Sequence, residues 1–230
     1  MRGACMPRLY TSPLALGMLL LACSAEAEPP PTSQAPATSA TSTDPPPVAP
    51  GPAVQVGEVA PDFVLPDTTG ALHRLSEHRG RTVVLEWFNP GCPFVKYAYG
   101  EGLLPDLRRR WIDAGVDWLT INSSAPDRQG HGAEVNDRAR QRWQMDLPVL
   151  LDETGAVGRR FGVTTTPQFV VIDPDGIVRH VGALDNAPLG LVDDGGRVDY
   201  IDRALQQLAR GEPVDPDRTK PYGCSVKYAG

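Results

Sequence analysis

An α/β domain, with a central mixed sheet and helices on both faces, is the fold class this sequence predicts. Three observations predict it. Apolar runs of strand length, Val83–Phe88, Val116–Ile121 and Val149–Leu151, alternate with longer stretches whose apolar residues recur at helical spacing. Two more runs, Gln168–Ile172 and Ile177–Val181, flank Asp173-Pro-Asp-Gly176, a strong hairpin turn. A last amphipathic stretch, Tyr200–Arg210, ends at Gly211, as a closing helix does.

In chain order, Phe63-Val64-Leu65 reads as a short strand after Pro61, followed by a turn at Asp67-Thr68-Thr69-Gly70. Val83–Phe88 is interrupted only by Glu86, the pattern of a buried sheet position. Pro93 to about Ala114 predicts one helix, with Leu103, Leu104, Leu107 and Trp111 as its apolar stripe. After the strand Val116–Ile121 comes a polar loop, Ser123–Gly132, expected to rim the site at Cys92 and to be mobile. A helix over Ala133–Trp143, a strand at Val149–Leu151 and a short helix over Gly155–Phe161 follow.

The N-terminus reads as a targeting segment. Arg2 and Arg8 form a basic start, and Leu14–Leu21 is too short to span a bilayer. Leu20-Leu21-Ala22-Cys23 places small residues around a cysteine, the pattern of a lipoprotein signal over residues 1–22 with Cys23 as the acylated first residue. Ser24 beside it lacks the acidic character that retains lipoproteins at the inner membrane, which points to the outer membrane of a Gram-negative envelope, facing the periplasm. Residues 23–55 are rich in Pro, Ala, Ser and Thr, too polar to bury a core, and read as a disordered tether. The domain then occupies 56–212, and 213–230 is a tail.

The formal charge is −6, and cleavage would remove two arginines and deepen it. With no block of lysine or arginine, nucleic acid is excluded as a partner. Contact with a membrane would come through lipid. Of four cysteines, Cys5 lies in the signal and Cys23 is used by lipidation, leaving Cys92 and Cys224. Cys92 stands between a strand and a helix and precedes Pro93. Helix N-termini offer free N–H groups and partial positive charge that favour thiolate, and proline fits the first turn because its missing N–H is not needed there. His73, His78, His131 and His180 have no metal-ligand spacing, so neither metal nor cofactor is expected.

Gly57-Glu-Val-Ala-Pro-Asp-Phe63, the turn at Cys92, and Thr165-Thr166-Pro167 followed by Gln-Phe-Val-Val-Ile-Asp173 together resemble the redoxin branch of the thioredoxin-fold superfamily. That branch holds AhpC/TSA-like peroxiredoxins and membrane-anchored thiol-disulfide oxidoreductases. The resemblance covers about Val56 to Leu208. It implies a thioredoxin-like fold, with Cys92 as a solvent-facing nucleophile and Pro167 as a cis proline opposite it. Thr166 would offer its backbone to a substrate strand. Glu86, six residues before Cys92, matches a buried acid, either a proton relay or a carboxylate bonded to backbone or solvent. Lys96, one turn on, either favours the thiolate or is simply solvated.

The departures narrow this. Val95 stands where a second cysteine of a CxxC motif belongs, and Asn89 where a peroxidatic threonine belongs, with Leu85 in place of the proline before it. Asn89 retains an amide able to bond a substrate oxygen. Cys224, in Lys220-Pro-Tyr-Gly-Cys224-Ser-Val-Lys-Tyr228, is then the one candidate resolving thiol. Either the tail folds back, pinned by Tyr222 and Tyr228, and pairs Cys224 with Cys92, or Cys224 has no role. Two functions follow. The first is an envelope thiol oxidoreductase in which Cys92 attacks a disulfide, on thiol/disulfide proteins, or a peroxide, and Cys224 or an external thiol resolves it, with exchange favoured over peroxidase. The second is a non-catalytic binding lipoprotein on the same fold.

Overall fold

The computed structural model describes residues 48, 51–192 and 194–229. The expected signal, Cys23 and most of the tether lie outside them. The elements are β1 (Val64–Pro66), β2 (Leu72–Arg74), β3 (Val83–Trp87), α1 (Pro93–Gly100), α2 (Leu104–Asp113), β4 (Asp117–Asn122) and α3 (Ala133–Arg142). They continue with β5 (Val149–Leu151), α4 (Ala156–Arg160), β6 (Thr165–Thr166), β7 (Gln168–Ile172), β8 (Val178–Gly182), α5 (Tyr200–Ala209) and β9 (Cys224–Ser225).

The central sheet has the order β5-β4-β3-β7-β8, with β3, β4 and β5 parallel and β7 and β8 antiparallel. It is mixed because the βα crossovers place β3, β4 and β5 side by side, whereas the Asp173–Gly176 turn reverses the chain at once. Strand alternation splits the core in two. Val84 and Phe88 face a cluster built with α1, α2, α3 and α5, including Trp118, Phe169 and Ile201. Val83, Leu85 and Trp87 face the other, with Phe63, Phe161 and Val170, closed by α4 and the β1 region. Helices thus cover both faces, as the sequence predicts. Packing begins ahead of Val56: Val54 is buried and donates to the Arg160 carbonyl at 2.9 Å.

The helix expected over Pro93–Ala114 is two helices. Tyr97 O accepts from both Glu101 and Gly102 N–H, which closes α1, and Pro105 has no N–H to continue the ladder. A Cβ on Gly102 would stand 2.8 Å from Ala98 O, so glycine is what lets the chain turn here. Leu103, expected in the buried stripe, falls in the break and is exposed, while Leu104 and Leu107 are buried. β2 and the β6–β9 pair form where the sequence carries no strand-length apolar run.

Candidate thiol site

Cys92 is the N-cap of α1, with extended backbone angles (φ −74°, ψ 125°) and Pro93 in the first turn. The turn before it is held by Asn89, whose Oδ1 accepts from Gly91 N–H at 2.8 Å and whose backbone carbonyl accepts from Cys92 N–H at 3.0 Å. Asn89 Nδ2 donates to Gln129 O at 3.0 Å. This buried amide is therefore spent on the turn and is not available to a substrate oxygen. The loop Ser123–Gly132 does rim the site, but it is stitched down and not loose. Ser123 Oγ donates to Asp152 and accepts from Trp87 Nε1, and Asn122 Nδ2 donates to Gly130 O.

The Thr166–Pro167 peptide is cis. Cys92 Sγ donates to Thr166 O at 3.1 Å, which puts the thiol against the strand that precedes Pro167. The tail meets that same strand. β9 pairs antiparallel with β6, Thr165 opposite Ser225 and Thr166 opposite Cys224. Gly223 makes this approach possible, because its φ is +129° and a Cβ there would stand 2.0 Å from Thr166 O. Both thiols are free, and both lie at Thr166: Cys92 bonds its carbonyl and Cys224 is its register partner.

Sequence reasoning expects a solvent-facing Cys92; the structure corrects this. Cys92 is 0% exposed, packed against Cys224 and Phe94 in the same cluster, while Cys224 remains partly exposed. The cover is anchored along its length. Tyr222 Oη donates to Asp185 at 2.6 Å and its ring tilts on Phe94. Val226 N–H donates to Thr164 O, Ala125 N–H to Lys227 O, and Tyr228 Oη to Val163 O. The Arg159 guanidinium lies 4.4 Å over the Tyr228 ring. Tyr222 and Tyr228 thus pin the tail, through partners (Asp185, Val163) that no local pattern reveals.

Burial pushes the Cys92 thiol up, but the neighbouring Cys224 thiol and the backbone N–H groups of Val95 and Cys224 outweigh it, leaving Cys92 below an ordinary thiol. Burial and the neighbouring Cys92 push Cys224 up to about 11. The pair is asymmetric, with Cys92 the more acidic of the two thiols. Lys96 is exposed and makes no ion pair among the described residues.

Glu86 is buried on the Val84–Phe88 face, in register with Thr120. Tyr99 Oη donates to both its oxygens, at 2.7 and 2.9 Å, and Trp118 Nε1 donates at 2.8 Å. Burial raises its pKa, with Arg108 and these donors pulling back. Among the described residues no hydrogen bond runs from Glu86 to Cys92. The four histidines hold separate partners: His73 with Asp67, His78 with Asp117, His131 with Glu153 and His180 with Pro216 O.

The sheet order and a cysteine capping α1 opposite a cis proline define a thioredoxin-fold redoxin. The AhpC/TSA family is matched over residues 56–181, and the chain belongs to that family. Thiol-disulfide oxidoreductase ResA of Geobacillus thermodenitrificans is 30% identical over 132 residues, 56% of this chain and 70% of that protein. Peroxiredoxin Bcp of Escherichia coli K12 is 26% identical over 144 residues, 56% and 85% of the two chains. Among solved structures, an uncharacterized conserved protein of Geobacillus kaustophilus superposes with a TM-score of 0.68 at 28% identity, covering 79% of this chain and 98% of that one. A hypothetical protein, SMc02350, of Sinorhizobium meliloti gives 0.68 at 23%, covering 77% and 97%, and supports the fold.

Proposed function

We propose that this protein is a thiol-disulfide oxidoreductase whose working couple is Cys92 with Cys224. The observation that carries the proposal is the β6–β9 pairing, which lays the tail thiol beside the helix-capping thiol. The similarity to a thiol-disulfide oxidoreductase supports it. Exchange is favoured over peroxide reduction because the residue three before Cys92 is an amide locked into the turn, with no hydroxyl to align a peroxide.

Exposure sets the direction of reduction. An external thiolate, on a cysteine-bearing partner, attacks the accessible Cys224 sulfur of the disulfide. The Cys92–Cys224 bond breaks and its electron pair leaves on Cys92, the lower-pKa sulfur and better leaving group. A second external thiolate then attacks the partner sulfur of this mixed disulfide and releases Cys224, which takes up a proton. Two external thiols become one disulfide, and the protein's disulfide becomes two thiols.

The test is to oxidise the full chain with glutathione disulfide, block free thiols and map peptides by mass. Cys92 and Cys224 peptides are expected to be linked, and Cys224→Ala is expected to abolish the link. A brief pulse of glutathione should then leave the adduct on Cys224 and alkylation on Cys92. Thiols that never link would return the protein to a binding role; an adduct on Cys92 would reverse the direction.

We also propose that lipid on Cys23 holds the domain at the periplasmic face of an outer membrane, with the segment between Cys23 and Val54 as its tether. The sequence Leu20-Leu21-Ala22-Cys23 supports this. Among the described residues no helix is long and apolar enough to cross a membrane. Detergent-phase partitioning of the expressed chain should be lost in Cys23→Ala, and partitioning that persists would refute the anchor.

A further inference from the structure

A second site lies at the other end of α1, about 10 Å along the helix from Cys92 at 1.5 Å per residue. A cleft of about 390 Å³ opens there between the α1–α2 corner and the segment after α3. Its apolar wall is Tyr99, Ile112, Trp143 and Met145, with the Tyr99 and Trp143 rings stacked at 5.0 Å. Its polar wall carries Arg108 and Arg142 against one acid, Asp146, with Arg109 at the edge paired to Asp106, so the cleft is basic on a chain of net charge −6.

Arg108 is the informative residue. It is 5% exposed, and its Nε and Nη2 are buried without a hydrogen-bond partner. Glu86 is the acid whose charge it feels, yet the two make no ion pair, and Glu86 already takes its hydrogen bonds from Tyr99, Trp118 and Thr120. Buried guanidinium groups are normally satisfied, because an unpaired buried donor carries an uncompensated desolvation cost. Arg142, at the mouth, makes no ion pair among the described residues.

We propose that this cleft binds a small organic carboxylate with a flat apolar body. Guanidinium donors match a carboxylate in planar, forked geometry, and the volume is that of a small-molecule site. The carboxylate pairs with Arg108 and Arg142, and the body lies against Trp143 and Tyr99. Inorganic anions satisfy the charge but leave the aromatic wall unused.

The probe is benzoate, titrated against the full chain with tryptophan fluorescence and calorimetry, beside benzyl alcohol and inorganic phosphate. Saturable benzoate binding with a Kd of about 1 mM or tighter is expected, with both comparison compounds at least about tenfold weaker. Arg142→Gln is expected to weaken benzoate by roughly threefold to tenfold, and Arg108→Lys by more, since a single ammonium cannot replace the fork. Should Arg108→Lys fail to fold, the exposed Arg142→Gln decides alone. No saturable benzoate binding, benzyl alcohol binding as tightly, phosphate binding as tightly, or indifference to Arg142→Gln would each overturn the proposal. None of these outcomes touches the Cys92–Cys224 couple, which has its own test.

Discussion

At the scale of single residues, two ionisable groups are buried away from solvent, and each is handled differently. Cys92 is burdened by burial and relieved first by the Cys224 thiol, then by backbone N–H groups. Its thiolate absorbance, followed against pH, should therefore titrate below the ordinary thiol value of 9.0. In Cys224→Ala the midpoint should move up, because the largest relieving hydrogen bond is gone; an unmoved midpoint would assign the shift to the helix terminus alone. Glu86 is the reverse case, with burial dominant and its pKa raised. Here the unfolded chain gives up the proton first. Stability is thus lost as pH rises from the ordinary Glu value of 4.5 through the higher folded value. Glu86→Gln has no such proton to lose. Its urea midpoint, relative to the unchanged protein, should climb across that window and then level off, whereas a constant offset at all pH would show that Glu86 does not titrate there.

Elements that depend on neighbours in sequence were legible, and those that depend on distant partners were not. The β3 run, the proline-started α1 and the Asp173–Gly176 hairpin are set by local pattern, and each forms close to where the sequence reading puts it. The α1–α2 break was missed because the leucines on both sides of Gly102 fit a single helical stripe; the deciding contact is the close approach to Ala98 O. β6 and β9 are two residues each, too short for any periodicity, and exist because the tail returns to the segment ahead of Pro167. That pairing hangs on Gly223. Gly223→Ala adds a Cβ 2.0 Å from Thr166 O at a φ that side chains rarely adopt. It should undock β9 and raise the alkylation rate of Cys92 by about tenfold or more, equivalent to roughly 1.4 kcal/mol of lost docking. A rate equal to the unchanged protein's would mean that something other than the tail covers Cys92.

Across the whole molecule, the tail is what turns a familiar scaffold into a particular device. It touches β8 through Thr219, Asp185 through Tyr222, β6 through Cys224 and the α4 region through Tyr228, so four separate parts of the fold hold the segment that carries Cys224. Glu86 was visible as a buried acid, but its donors come from α1 and β4, and they tie it to the core instead of to the thiol. The sequence by itself determined the fold class, the helix-capping Cys92 and the absence of a local second cysteine. All of these are matters of spacing along the chain, where a residue's neighbours are fixed by covalent bonds. Only the tertiary structure decided that Cys92 is covered, that Cys224 is the exposed member of the pair, and that Arg108 stands unpaired beside a cleft. Burial and charge pairing are set by groups brought together from remote positions, and the linear order of residues does not record them.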